Sequence, residues 1–227
     1  RYYDAVCPGA LNASLPWAAG QRPSGCIHSP LERLAARGAT LHASGYGTCA
    51  DDRPEHHCLD SESEAGFAAA IAAARQAEQV VVFVGLSHNK HAVADAETEG
   101  HDRQRLTLPG AQPALLAALR AAVPRTPVTI VLLNGGAVAL DYSLGDAAVE
   151  AFYPGIAGGE AVACALYGEE DCNRWGRLPV TVLPASFAGP RGNDMANMGV
   201  STGGSGARTY RYYAGEFGAP LFEFGWG

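Results

Sequence analysis

The sequence contains no Cys-x-x-Cys pair, no cluster of Lys or Arg, and no apolar run approaching the length of a bilayer span. Each absence removes a class of protein. With a formal net charge of −7 and no basic patch, the electrostatic footprint of a nucleic-acid or anionic-membrane binder is missing. The longest apolar runs, around Val80–Val84 and Val128–Leu133, fall far short of the roughly 20 residues a spanning helix requires, so no membrane insertion is expected. His56 and His57 beside Cys58 lack the second half of a zinc-finger spacing. His88, His91, Asp95 and His101 share one stretch but not the HxxxH spacing of a helical metal site, so no metal is expected. The paired glycines at Gly135-Gly136, Gly158-Gly159 and Gly203-Gly204 carry neither the GxxxxGK[ST] lysine nor the GxGxxG order, and no nucleotide cofactor is expected. Ser205 has Gly203 two residues before it but Ala207 two after, which excludes the GxSxG nucleophile elbow. Arg1-Tyr2-Tyr3-Asp4 is not followed by an apolar signal region, so the start is expected to be internal or processed.

What is present suits a globular chain. At 227 residues and 48% hydrophobic composition there is enough apolar surface for one domain, or at most two. The six cysteines (Cys7, Cys26, Cys49, Cys58, Cys164, Cys172) are better read as an oxidised framework than as metal ligands. Cys49 with Cys58 and Cys164 with Cys172 would close short loops, but sequence alone leaves about 15 pairings open. Asn12-Ala13-Ser14 is a glycosylation sequon and agrees with a secreted context.

Residues 1–30, rich in Pro, Gly, Ala and Ser without periodicity, read as an extended lead-in, leaving 31–227 as the domain proper. Thr40–Ser44 is a short strand candidate, and Ser61-Glu62-Ser63-Glu64 has the spacing of a capping box, predicting a helix with Phe67, Ile71 and Ala74 on its apolar face. Val80–Val84 is apolar on both faces, as a strand covered by helices in a parallel sheet would be. Pro113–Ala122 is a helix candidate with Leu115, Leu116 and Leu119 on one side; Val128–Leu133 and Ala148–Phe152 are further strands; Gly158–Tyr167 is another helix. The alternation predicts an α/β fold: an open, mostly parallel sheet flanked by helices, with ligands expected outside the carboxyl ends of the strands. From that end of the first strand leaves the stretch Leu86–Arg105, far longer than the 2–6 residues that usually suffice for such a connection. Within it, ETEGHDR (Glu97–Arg103) packs three carboxylates, a histidine and an arginine into seven residues.

The phrase ETEGHDRQRLTLPGAQ (Glu97–Gln112), with NGGAV (Asn134–Val138), YPGIAGGEA (Tyr153–Ala161), GRLPVT (Gly176–Thr181) and RTYRYYAGE (Arg208–Glu216), resembles the C-terminal α/β-sandwich domain of family 3 glycoside hydrolases. Any one of these pieces is unspecific; five in the family's order are not. SGCIHSPLERL and the cysteines Cys26, Cys49 and Cys58 are most similar to the plant-type β-xylosidase and arabinofuranosidase branch. The resemblance implies a retaining β-glycosidase. Its nucleophilic aspartate would come from a (β/α)8 barrel absent from this chain, and its general acid/base glutamate from this domain. The family's EGxDR pattern falls on Glu99, while branches written ExExxDR leave Glu97 as the alternative. Asp102 and Arg103 would pin the loop rather than touch sugar. The implied substrate is a β-linked saccharide and the implied partner the barrel, covalent or as another chain. Tyr210, Tyr212 and Tyr213 are expected in core or interface rather than stacked on sugar.

Two departures stand out. LSHNKHAVADA between Gly85 and Glu97 is longer than usual for the branch, with Ser87 where an aspartate often follows Gly-Leu, and the chain ends in FGWG where relatives continue into Leu-Ser-Tyr and a fibronectin-like domain. The alternative reading is therefore a non-catalytic extracellular scaffold or glycan-binding module derived from the family.

Overall fold

The computed structural model describes residues 28–43, 45, 64–86, 103–188, 209–213, 215 and 217–227. The expectations at Asn12, Cys7, Cys26, Cys49, Cys58, Glu97, Glu99 and Asp102 lie outside these residues. The chain forms two compact units, one of Arg1–Thr40 with Pro154–Arg174, the other of Leu41–Tyr153 with Trp175–Gly227.

In the larger unit a helix α2 (Phe67–Ala74) leads to β1 (Val80–Gly85), helix α3 (Gln112–Ala122), β2 (Val128–Leu133) and β3 (Ala147–Glu150). The three strands are parallel in the order β1-β2-β3, with Val82 opposite Ile130 and Gly85 opposite Leu133. β2 is central, and Val128 through Leu132 are all buried. Its run of branched aliphatic residues suits a strand covered on both faces, where nothing polar need alternate. Val82, Val84, Val128, Ile130 and Leu132 form one cluster with Phe67 and Ala74 of α2 and with Leu115, Leu116 and Leu119 of α3. The i, i+1, i+4 spacing of the leucines puts them on one side of α3, against the sheet and α2.

The starts of the strands are tied electrostatically. Asp146 accepts from Arg120 Nη2 at 2.6 Å and from the Val128 backbone N–H at 2.8 Å. The Arg120 hydrogen bond, then that of Val128, hold its carboxyl below the usual aspartate range.

Three details differ from the sequence reading. Thr40–Leu41–His42–Ala43 takes no strand conformation; a short run of β-prone residues becomes a strand only where a neighbour accepts its hydrogen bonds. The helix expected after Ser61 begins at Phe67, behind Gly66 and without a side-chain cap. Among the described residues a box forms at Ser29 with Glu32, whose side chains satisfy each other's backbone N–H groups at the start of α1 (Pro30–Ala35), with Pro30 at the first turn where its missing N–H is harmless. The passage from β2 to β3 carries only a single 3₁₀ turn, Tyr142–Leu144, in place of a full helix. Tyr142 donates to the Val138 carbonyl at 2.9 Å and meets Phe222 edge-on at 4.8 Å; burial first, and Glu150 second, push its phenol up to about 12. Phe222 belongs to a terminal stretch that runs antiparallel to GRLPVT, with Leu178 N–H donating to Trp226 O and Leu221 N–H to Val182 O, each at 2.8 Å.

The smaller unit pairs α1 with α4 (Gly158–Leu166). A Cβ at Gly159 would lie 2.1 Å from the His28 carbonyl oxygen, so glycine is what lets the two backbones approach. Arg37 then clasps Glu160, which Nη2 reaches, and Glu169, reached by Nε at 2.6 Å and Nη2 at 3.2 Å. Cys164 and Cys172 are joined in a disulfide, Cα atoms 5.6 Å apart, so one of the two local pairings forms.

Candidate functional site

The carboxyl ends of β1, β2 and β3 lie side by side, and four contacts organise them. Gly85, the last residue of β1, is followed by Leu86, whose N–H donates to the Leu133 carbonyl at 2.9 Å. The Gln112 side chain, fully buried, donates from Nε2 to the Gly85 carbonyl and accepts the Gly85 N–H on Oε1, both at 2.8 Å. Arg103 Nη2 donates to the Ala137 carbonyl at 3.0 Å. Just beyond it, the Ala139 N–H donates to the Leu106 carbonyl at 2.7 Å, and Leu108 and Ala111 sink into the core. The long connection from β1 thus leaves and returns at the same edge of the sheet, with both stems fixed by backbone hydrogen bonds and burial.

Arg103 is the expected site residue among those described. It ties the returning stem to the loop after β2. Glu99, Glu97 and Asp102 lie outside the described residues.

The same edge carries further polar and strained features. Asn134, following β2, is fully buried and donates from Nδ2 to the Gly136 carbonyl at 2.9 Å, which folds the Gly135-Gly136 turn back on the strand end. Phe152, two residues past β3, has φ 51°, a left-handed conformation that costs a non-glycine residue of order 1–3 kcal/mol and is characteristic of functional edges. Tyr153 beside it directs its hydroxyl at the Leu86 carbonyl, 3.4 Å away, so β3 is linked to the departing stem of β1.

Gln112 and Asn134 were not singled out in the sequence. For Gln112 a signal existed: it stands at i to Leu115, Leu116 and Leu119, and so on the apolar side of α3. A glutamine in that row is a buried amide in need of partners.

Elsewhere, Cys164, Glu169 and Cys172 bring three ligand-type atoms within 4.8 Å of one another, but the disulfide consumes both thiols and leaves no thiolate for a metal. Tyr210 and Tyr212, expected in core or interface, are both exposed here, Tyr210 stacking on Phe224 with centroids 4.3 Å apart. Tyr213 packs edge-on against Phe187 and donates from its hydroxyl to the Gly218 carbonyl at 2.7 Å. Among the described residues no helix is long and apolar enough to cross a membrane.

A parallel sheet flanked by helices, with one long connection leaving its carboxyl edge, is the arrangement that the alternation of elements led one to expect, and residues 8–227 match the glycosyl hydrolase family 3 C-terminal domain. The chain belongs to that family. Its relatives include probable beta-D-xylosidase 6 of Arabidopsis thaliana, 36% identical over 192 residues, which covers 83% of this chain and 22% of that protein. Beta-D-xylosidase 1 of the same plant is 34% identical over 203 residues, covering 88% of this chain and 23% of that protein. Among solved structures, a family 3 exo-beta-xylosidase (XlnD) in complex with a xylobiose aziridine probe superposes with a TM-score of 0.70 at 29% identity, over 91% of this chain and 24% of that one. The resemblance to xylosidases of the plant type is thereby borne out, and the chain spans about a fifth of the length of these relatives.

Proposed function

We propose that this chain is the acid/base-bearing domain of a secreted, exo-acting retaining β-glycosidase of β-xylosidase type, with Glu99 as the general acid/base and Glu97 as the alternative. The nucleophilic aspartate comes from a (β/α)8 barrel, in the same polypeptide or as another chain. The reaction needs two carboxyl groups roughly 5–5.5 Å apart, one to attack the anomeric carbon and one to protonate the departing oxygen and then activate water. A carboxyl closed against a partner domain loses solvent and has its pKa lifted from about 4.3 toward 6, which suits it to donate a proton near neutral pH.

The observation that carries the reading is the anchoring of both stems of the 86–103 connection, by Gln112 and Leu133 on one side and by Ala137 and Leu106 on the other. A solvated insertion has no use for a buried amide and an arginine latch at its roots; a carboxyl that must meet a partner domain does.

Substitution in the complete enzyme tests it. Glu99→Gln lowers kcat on xylobiose by a factor of about 10² or more, while glycosylation by an activated aryl xyloside, which needs little protonation, is largely kept and azide accelerates the second step. If Glu97→Gln gives that signature and Glu99→Gln does not, the roles exchange. If neither matters, the module reading prevails. A higher kcat/KM on nitrophenyl glucoside than on nitrophenyl xyloside would refute the xylosidase assignment.

A further inference from the structure

In an extended strand, successive residues present their N–H and C=O groups to opposite sides. Leu86 sends its N–H to Leu133 of β2, so the N–H and C=O of Gly85 point to the outer side of β1, where among the described residues no strand pairs with it. There the Gln112 amide takes both, at 2.8 Å each. It acts as a strand one residue long. The two partners are 27 positions apart in sequence, and everything between them, Glu97 and Glu99 included, is a ring closed by one buried side chain.

From this geometry we infer that Gln112 is a positioning residue for the acid/base carboxyl, an inference that rests on the reading that the ring carries it. The clasp fixes where the ring departs relative to where it returns. Removing it leaves the Gly85 N–H and C=O buried without partners, and they recover hydrogen bonds only by shifting the departing stem. A displacement of about 1 Å at a proton donor is enough to cost on the order of a hundredfold in rate.

A carboxylic acid provides a test that plain loss of packing cannot imitate. In Gln112→Glu the protonated side chain has one donor and one acceptor, as the amide has, and reproduces the clasp; the ionised side chain turns a second acceptor toward the Gly85 carbonyl and opens it. Burial raises the pKa of this new carboxyl. The clasp is therefore present below the raised pKa and lost as pH climbs through it.

In the complete enzyme, Gln112→Glu is expected to turn over xylobiose within about twofold of the parent at the acid end of its pH range. As pH rises, kcat should fall on the order of tenfold below the parent, with KM little changed and glycosylation by an activated aryl xyloside largely spared. Gln112→Leu should show the loss at every pH; if it does not fold, the Gln112→Glu profile decides alone. If Gln112→Glu follows the parent's pH profile while Glu99→Gln or Glu97→Gln cripples xylobiose hydrolysis, the positioning role is overturned and the acid/base reading stands. Equal losses on both substrates, together with an unchanged profile, mean a purely structural role and overturn it too. If neither glutamate substitution matters, the acid/base reading fails, and this inference with it.

Discussion

The sheet unit buries Ile130, Val131 and Leu132 almost completely, together with the side-chain amides of Gln112 and Asn134. The smaller unit joins α1, which buries none of its residues, to α4 through a half-exposed fork of Arg37 on two glutamates, and a disulfide clips α4 to the segment that follows it. The first arrangement draws on removal of apolar surface from water, which is indifferent to salt and to moderate pH. The second uses charge and a covalent clip, both of which the surroundings can switch off. It follows that the two units should respond to opposite perturbations.

The largest effect should come from Ile130→Ala. Emptying a fully buried position in the central strand costs about 2–5 kcal/mol, read as a lower urea midpoint with the slope unchanged. It should be insensitive to dithiothreitol and to salt. Reduction of Cys164–Cys172 comes next: closing a loop of sequence separation 8 is worth roughly 2–3 kcal/mol. Peptide mapping should recover the two cysteines linked, gaining about 2 Da on reduction as the bond is replaced by two thiols, and reduced protein should lose protection from hydrogen exchange in α1 and α4 before the sheet. A loss of protection in β2 at the same reductant concentration would erase the contrast.

The smallest effect belongs to Arg37→Met. The hydrogen bonds from Arg37 hold both Glu160 and Glu169 below the ordinary glutamate value of 4.5. Groups with lowered folded values contribute stability that is complete above the unfolded range and is lost as pH falls through the folded one. Arg37→Met should therefore destabilise slightly at neutral pH, less at high salt, and not at all once both glutamates are protonated. A difference between parent and variant that grows toward acid would contradict the sign.

The sheet was legible because its physics is local and repetitive. Val128–Leu133 is a β-branched and aliphatic run whose one polar member is Thr129, and it became β2 over those residues. The leucines of α3 follow the helical period and were read as one side of a helix. Where a structure depends on a partner distant in sequence, the pattern was silent. Thr40–Ala43 has strand-like residues and, among the described residues, no strand beside it. Of two Ser-x-x-Glu phrases, Ser61 lies outside the described residues, while Ser29 with Glu32, which forms a box, lay at the end of the stretch read as a lead-in; its neighbour Gly159, which admits the His28 backbone, is 130 residues away. At the site, the loop and its arginine were legible from length and motif. The buried amide that closes the loop was not, since a glutamine at the head of a helix reads as a polar surface residue until its leucine neighbours are counted with it.

That closure also bears on how the family can vary. When both ends of a span are tied to one another by a side chain, its length no longer affects the pairing of the strands below. Each doubling of an unstructured span adds only about 0.6 kcal/mol of closure entropy. LSHNKHAVADA begins one residue past the clasp. The connection there could be lengthened, shortened or rewritten without renegotiating the register of Gly85 and Leu133. Gln112 in this sense separates what selection may alter freely from what the sheet must keep.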